Sequence, residues 1–376
     1  MIQVKAPARI CFFGDHQDYL DLPVIAGTIN RYIYIEGAPN STSTFFIELI
    51  DIQNTISIDL NEKLIDLQRE DYFRSVLAVL GEKGFRFTRG YNIKIWGNIP
   101  VNAGVSSSSA LVVAWIRFLL ATKKGGHDIS DAQIGQWAYE AEVTYFNQPG
   151  GLMDQYTIAQ GGLLYIDTLS TEIQRLNADF GSLVIAESGI AKQTLSVLQN
   201  ARNYGREAIA AVQKQVPDFT IQEAGEETYH RYFASVPEPY RDHWYAAVYN
   251  YVLTLKAKEM LASSSIDHVT LGKWMNSHQV ILQERIQNTP QIMQKQMKAA
   301  LRAGALGAKI IGSGGGGCMV AMVTQVTKEK VIQAFFKAGA KNAYEISLIS
   351  NGKFQSPHFS PIIHANFIYF LSLPDL

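Results

Sequence analysis

The chain has 376 residues, 47 % of them hydrophobic, with a formal net charge of -1. That length suits two domains of ordinary size, and that composition excludes a disordered chain. No run of Lys or Arg marks a nucleic-acid or anionic-membrane surface, and the only two cysteines, Cys11 and Cys318, exclude a disulfide framework and a cysteine zinc site. The start, "MIQVKAPARICFFGDHQDY", carries charges and a proline where a signal peptide needs an apolar run. No apolar run reaches the ~18 residues of a membrane span. The expectation is a cytoplasmic protein with a small-molecule substrate and with neither nucleic acid nor membrane as partner.

In chain order, "ARICFF" and "RYIYIEG" read as strands, rich in aromatic and β-branched residues. "DYFRSVLAVLGEKG" reads as a helix stopped by glycine, and "YNIKIWG" as another strand. Four serines, Ser106 to Ser109, then open an apolar helix that runs to Ala121. A second helix, "SDAQIGQWAYEAEVTYF", has Ser130 as its N-cap. "NQPGGLMDQYTIAQGG" and the strand "LLYID" follow. Gly181 to about Phe219 resembles a strand and a long helix, and about Arg241 to Ala303 is mostly helical. "AKIIGSGGGGCMVAMV" reads as strand, glycine loop, strand, followed by the helix "KEKVIQAFFKAG" and the strand "YEISLI". A change in texture near residues 168 to 182 divides the chain into domains 1–175 and 176–376. The tail, residues 353–376, is apolar but broken by prolines.

Four segments carry chemistry. A helix start leaves backbone N–H groups without intrahelical partners and carries partial positive charge. Gly104 before it lets an anion approach, and serine hydroxyls add donors, so the serine run fits a polyphosphate; a serine-rich cap on a core helix is the plainer alternative. "GSGGGG", Gly312 to Gly317, satisfies G-x-G-x-x-G, but a strand follows where a dinucleotide site needs a helix. Backbone this bare still suits close approach to a ligand. In "PARICFFGDHQDY", Asp15, His16, Asp18 and Tyr19 crowd the turn after Gly14 and can bond several hydroxyls of a polar substrate. A metal site from Asp15, His16 and Asp18 stays open, the spacing not being diagnostic. In "AEVTYFNQPGGLMDQY", Glu142 and Asp154 would supply a metal ligand and a base beside a phosphate cradle. The set suggests phosphoryl transfer, without the G-x-x-x-x-G-K-[ST] of a P-loop protein. "DFG" at Asp179 precedes the glycine loop and has no H-R-D partner, which excludes a protein kinase.

Together the segments resemble the GHMP family of small-molecule kinases. "PVNAGVSSSSA" is similar to the family's P-x-x-x-G-[LV]-x-S-S-A, and "KIIGSGGGGCMVAM" to its C-terminal glycine motif. Within the family, "ARICFFGDHQDY" looks most like the galactokinase G-R-x-N-[LIV]-I-G-E-H-x-D-Y, with Asp15 replacing a glutamate and Cys11 an asparagine. The resemblance implies an α+β, two-domain GHMP kinase fold, with ATP and substrate in the cleft between the domains. It implies that Asn102, Ala103, Gly104, Val105, Ser106, Ser107, Ser108 and Ser109 cradle the ATP phosphates and that Gly314, Gly315, Gly316 and Gly317 contact them. Ser108 and Glu142 would hold Mg²⁺. Asp154 would take the proton of the attacking hydroxyl, with Arg9 keeping that carboxylate ionised. Asp15, His16, Asp18, Gly151 and Asp154 would bind the substrate.

The acceptor implied is the anomeric hydroxyl of galactose or a related monosaccharide. "AESGIAKQTLS", Ala186 to Ser196, departs from galactokinases, which have N-S-x-V-x-H there, and reads more like mevalonate or heptose kinases. A mevalonate kinase, or a kinase for a heptose phosphate or uronic acid with Lys192 as an added basic group, therefore stays open. A non-catalytic sensor of sugar and ATP is a third reading; intact Ser108, Glu142, Arg9 and Asp154 speak against it.

Overall fold

The structure, a computed structural model, describes residues 1–100, 104–123, 128–191 and 194–349, with residues 194–196 as backbone only. The described chain forms two compact units. The first contains Met1–Arg9 and Thr28–Gly161; the second contains Ile10–Gly27 and the described part of Gly162–Ser350. The sequence suggests a single cut at 175/176, whereas these units interleave, because two long strands, Ile2–Phe13 and Val24–Pro39, each run through both. Local composition does not reveal where a continuous strand changes unit.

In the first unit, strands Asn54–Asp59, Thr44–Leu49 and Tyr91–Gly97 lie side by side, followed by the Ile33–Pro39 part of the long strand. Tyr91, Ile93 and Ile95 face inward, and Asn92 and Lys94 face out, the period of two expected of a half-buried strand. Trp115 of helix Ser107–Ala121 lies at the core, with the rings of Phe45, Phe73 and Phe118 5.5–5.6 Å away. Its indole N–H donates to the Phe73 carbonyl at 3.1 Å, so the one polar atom it buries is satisfied. Helix Asp131–Tyr139 starts at the Ser130 N-cap that its sequence predicts, and the structure completes a capping box there with Gln133. The helix then continues as a π-turn, Glu140–Thr144.

The second unit has a four-stranded antiparallel sheet, in the order Asn342–Ile346, Ser182–Glu187, Cys318–Val323, Gly307–Ile310. Met319 pairs with Ile310, so the glycine segment between the last two strands is a hairpin loop, as the sequence suggests. Leu282, Met293, Met297, Val331 and Phe335 pack on this sheet. A separate cluster gathers Trp244, Val248, Ala208 and Val212 around Tyr19, Leu20 and Leu22. Burying each of those leucines contributes about 1.5–3 kcal/mol, which anchors the turn after Gly14 in the second unit. Strands Thr44–Leu49 and Asn54–Asp59 and the short strand Ile173–Arg175 have no counterpart in the sequence reading. Among the described residues no helix is long and apolar enough to cross a membrane. The tail, 353–376, lies outside the described residues.

Candidate active site

The first unit holds the serine run, Arg9, Glu142 and Asp154. Gly104 has φ +84° and Ser106 φ +60°, so the chain turns through the left-handed region just before the helix begins at Ser107. Ser106 makes no side-chain cap to its own helix. Its hydroxyl instead donates to Asp154 Oδ2. The helix start is thereby left with unspent N–H donors, the condition under which it attracts an anion. Gly104 and Val105 are buried, Ser107 and Ser108 are partly exposed at the helix start, and Ser109 is buried. Asn102 and Ala103 lie outside the described residues.

Asp154 sits in the first turn of helix Met153–Gln160 and is 28 % exposed, whereas its partner Arg9 is 3 % exposed. Arg9 Nε donates to Asp154 Oδ1 at 2.7 Å, and Arg9 Nη1 donates to the Gly104 carbonyl at 2.7 Å. The Asp154 carboxylate thus accepts from Arg9 at one oxygen and from Ser106 at the other. Gly151, partly exposed, lies in the bend just before this helix.

Glu142 lies in the π-turn and is buried. Burial raises its proton affinity above the usual glutamate range; bonds from Ser108, Gln155 and Ser109 oppose that shift, and the Asp154 charge adds to it. Gln155 Nε2 donates to Glu142 Oε2 at 2.7 Å, while Gln155 Oε1 is buried with no partner. Among the described residues no basic side chain pairs with Glu142. A buried carboxylate facing a second carboxylate, with Ser108 beside it, fits a hard divalent cation, whose oxygen ligands are of this kind. π-turns often mark functional sites, and this one is invisible to helical periodicity.

The second unit holds the turn Gly14–Tyr19 and the glycine loop. Asp15 is 2 % exposed, and its Oδ2 accepts from Lys309 Nζ at 2.7 Å. Lys309 is fully buried and spends its other donors on the carbonyls of Cys11 and Ile310. Burial opposes the Asp15 charge, but the Lys309 ammonium, by its charge and its hydrogen bond, holds the carboxyl below the usual range. Asp15 Oδ1 has no hydrogen-bond partner among the described residues. His278, fully buried beside this pair and stacked on Phe13, is pushed by desolvation down to about 3 and makes no well-formed hydrogen bond. His16 Nδ1 lies 2.7 Å from Tyr19 Oη, and burial holds that phenol neutral, its proton affinity well above normal. His16 Nε2 lies 3.0 Å from the Ser313 carbonyl and 3.0 Å from Asn288 Nδ2. Asp18 is partly exposed and accepts from the Tyr19 N–H at 3.1 Å. Among the described residues no three acidic, histidine or cysteine side chains group to hold a metal, so Asp15, His16 and Asp18 do not form one.

Gly312 and Gly314 to Gly317 all have positive φ. A Cβ on Gly314 would meet the Asn288 carbonyl at 2.5 Å, and one on Gly316 the Ala191 carbonyl at 2.6 Å. The N–H groups of Gly315 and Gly317 donate to the carbonyls of Asn288 and Ile190, at 2.7 and 3.1 Å. Those of Gly314 and Gly316 have no bond among the described residues and are the ones left for a ligand. Ser188 N–H donates to the Gly317 carbonyl at 2.9 Å. The segment that departs from the galactokinase pattern therefore lies against this loop. Lys192 is outside the described residues. Gln155 and Lys309 lie inside the quoted segments and Ser106 inside the serine run, but the sequence reading gives the first two no role and does not pair Ser106 with Asp154; Asn288 lies in no motif.

Profiles for the N-terminal and C-terminal domains of GHMP kinases match residues 71–162 and 258–341, and a galactokinase galactose-binding signature matches residues 2–39. The galactokinase of Lacticaseibacillus casei is 28 % identical over 89 % of this chain and 88 % of its own. The galactokinase of Thermotoga maritima is 26 % identical over 89 % and 94 %, and the mevalonate kinase of Thermococcus gammatolerans 26 % over 92 % and 96 %. The fold is similar to that of Lactococcus lactis galactokinase complexed with galactose, with a TM-score of 0.81 at 20 % identity over 93 % of this chain and 94 % of that one. Methanococcus jannaschii mevalonate kinase gives 0.69 at 16 % identity, over 93 % and 98 %. The chain belongs to the GHMP kinase family, with its α+β fold, and is an ATP-dependent small-molecule kinase.

Proposed function

We propose that this GHMP kinase transfers the γ-phosphoryl group of ATP to a sugar hydroxyl, the anomeric hydroxyl of galactose or a closely related monosaccharide. The observation that carries the sugar is the match of residues 2–39, which include Arg9, Asp15, His16 and Asp18, to a galactose-binding signature. The Arg9–Asp154–Ser106 cluster at the start of the serine helix supports the chemistry. The two cysteines, both buried thiols, suit a reducing cytoplasm.

The N–H groups at the start of helix Ser107–Ala121, together with the partly exposed hydroxyls, hold phosphate oxygens in the first unit. In the second unit the N–H groups of Gly314 and Gly316 do the same. Ser108 and Glu142 hold magnesium, which when bound neutralises charge on the phosphoryl oxygens. Asp154 accepts the substrate hydroxyl proton as that oxygen bonds to the γ-phosphorus and the bond to ADP breaks. Arg9 keeps the carboxylate aimed. Asp18, partly exposed, and Asp15 Oδ1, which has no protein partner, accept from sugar hydroxyls.

A mevalonate acceptor is the second reading, favoured by the 26 % identity to the Thermococcus mevalonate kinase. The experiment is ADP release with Mg-ATP and a panel of galactose, other hexoses, uronic acids, heptose 7-phosphate and mevalonate, with Asp154→Asn as blank. Turnover on galactose or a near epimer supports the proposal. Turnover on mevalonate alone overturns the sugar and leaves the phosphoryl-transfer chemistry standing.

A further inference from the structure

We propose that Asn288 is a positioning residue that ties His16 to the glycine loop and sets the tautomer of the His16 ring. The turn after Gly14 and the glycine loop then form one braced piece within the second unit. The inference rests on the reading of that loop as nucleotide-binding backbone.

The argument is one of hydrogen-bond direction along a buried chain. Ile310 N–H donates to Gln279 Oε1 at 2.8 Å, which fixes the Gln279 amide. Its Nε2 must then donate, and does so to Thr289 Oγ1 at 3.0 Å. The Thr289 hydroxyl passes its own proton to Asn288 Oδ1 at 3.2 Å. Asn288 Nδ2 is therefore a donor, with Ser313 O at 3.1 Å and His16 Nε2 at 3.0 Å as its acceptors. A ring nitrogen facing a fixed donor has to accept, so the His16 proton sits on Nδ1 and is donated to Tyr19 Oη at 2.7 Å. Ser313 O and His16 Nε2 lie 3.0 Å apart: with the proton on Nε2 this is a hydrogen bond, and with it on Nδ1 the two lone pairs need a shared donor. The Asn288 amide is that donor.

The same residue also shapes the loop. Its carbonyl accepts from Gly315 N–H at 2.7 Å, at the point where Gly314 has no room for a Cβ. Asn288 is 2 % exposed and His16 8 %, so no solvent replaces these bonds when one is cut. Both ring nitrogens have partners inside the unit, so His16 braces the loop as well as the turn.

The test uses the whole protein and no sugar: calorimetric affinity for Mg-ADP, and ¹⁵N spectra of the histidine rings, His16 being assigned from the difference with His16→Asn. In the wild type, His16 should report a proton on Nδ1. Asn288→Ala should move it to Nε2, which then donates to Ser313 O, and should weaken Mg-ADP binding about tenfold, the equivalent of one buried hydrogen bond. His16→Asn keeps a donor toward Tyr19, suits the φ of +64° at this position, and removes the acceptor. It should weaken Mg-ADP to a similar extent, and it carries the test where Asn288→Ala does not fold. An Nε2 proton in the wild type, or unchanged ADP affinity in a folded variant, overturns the inference. A wild-type protein that does not bind Mg-ADP overturns the nucleotide reading itself.

Discussion

Arg9 reaches Asp154 with Nε and the Gly104 carbonyl with Nη1, both at 2.7 Å, so one buried guanidinium sets the carboxylate against the turn that opens the serine helix. Asp154→Asn keeps the shape and loses the basicity. Turnover should fall by about two to four powers of ten, the range of a general base, with Mg-ADP affinity unchanged by calorimetry. Arg9→Lys keeps the charge but cannot make both bonds from one rigid fork. Steady-state kinetics should show its loss mainly in kcat.

Ser106 holds a left-handed backbone and spends its hydroxyl on Asp154. Ser106→Gly and Ser106→Ala both remove that bond and should lower kcat alike, by about tenfold. They should differ in stability. Left-handed backbone costs an L-residue about 1–2 kcal/mol, which glycine avoids, so Ser106→Gly should melt above Ser106→Ala. Equal kcat to wild type in both would remove Ser106 from the positioning of Asp154.

Glu142 should reveal its role through magnesium and pH together. Burial raises its proton affinity and the Asp154 charge adds to it, so protons compete with a cation at a pH above the ordinary glutamate range. The apparent Mg²⁺ affinity, read from titrations of ATP turnover, should fall as pH is lowered toward that raised value. Glu142→Gln removes a buried charge without changing shape. It should fold at least as stably as wild type and lose magnesium-dependent turnover; a variant with normal magnesium response would remove Glu142 as ligand.

The Lys309–Asp15 pair tests the turn. Asp15 in the folded protein is held below its unfolded value of 3.8, so its contribution is present above that value and is lost only as pH falls through the lower folded one. Lys309→Met leaves the carboxylate buried without its cation, a change that costs about 3–5 kcal/mol. The sign then inverts: burial alone raises the Asp15 value, so the variant should lose stability as pH rises from the unfolded 3.8 toward the raised folded value. Adding Asp15→Asn should restore part of the melting temperature and abolish the slope. A variant as stable as wild type at pH 8 would show the pair to be dispensable.

Much of this was legible before any coordinates. The strand Tyr91–Gly97, the N-cap at Ser130 and the strand–loop–strand around the glycines are local patterns, set by alternation, capping and the absence of a Cβ. Strands Thr44–Leu49 and Asn54–Asp59 were not, because their stability comes from cross-strand partners distant in sequence, such as Phe45 against Tyr91. The π-turn at Glu142 repeats no sequence period.

The sequence by itself determined the chemistry available: a serine-rich helix start behind a glycine, a glycine loop, and the residues Arg9, Glu142 and Asp154, each recognisable by type and spacing. Only the tertiary structure decided which of these meet. Arg9 and Asp154 are 145 positions apart, Asp15 and Lys309 are 294 apart, and His16 and Asn288 are 272 apart. A buried polar group must find a partner wherever the fold delivers one, and nothing in the local residue pattern says where that will be.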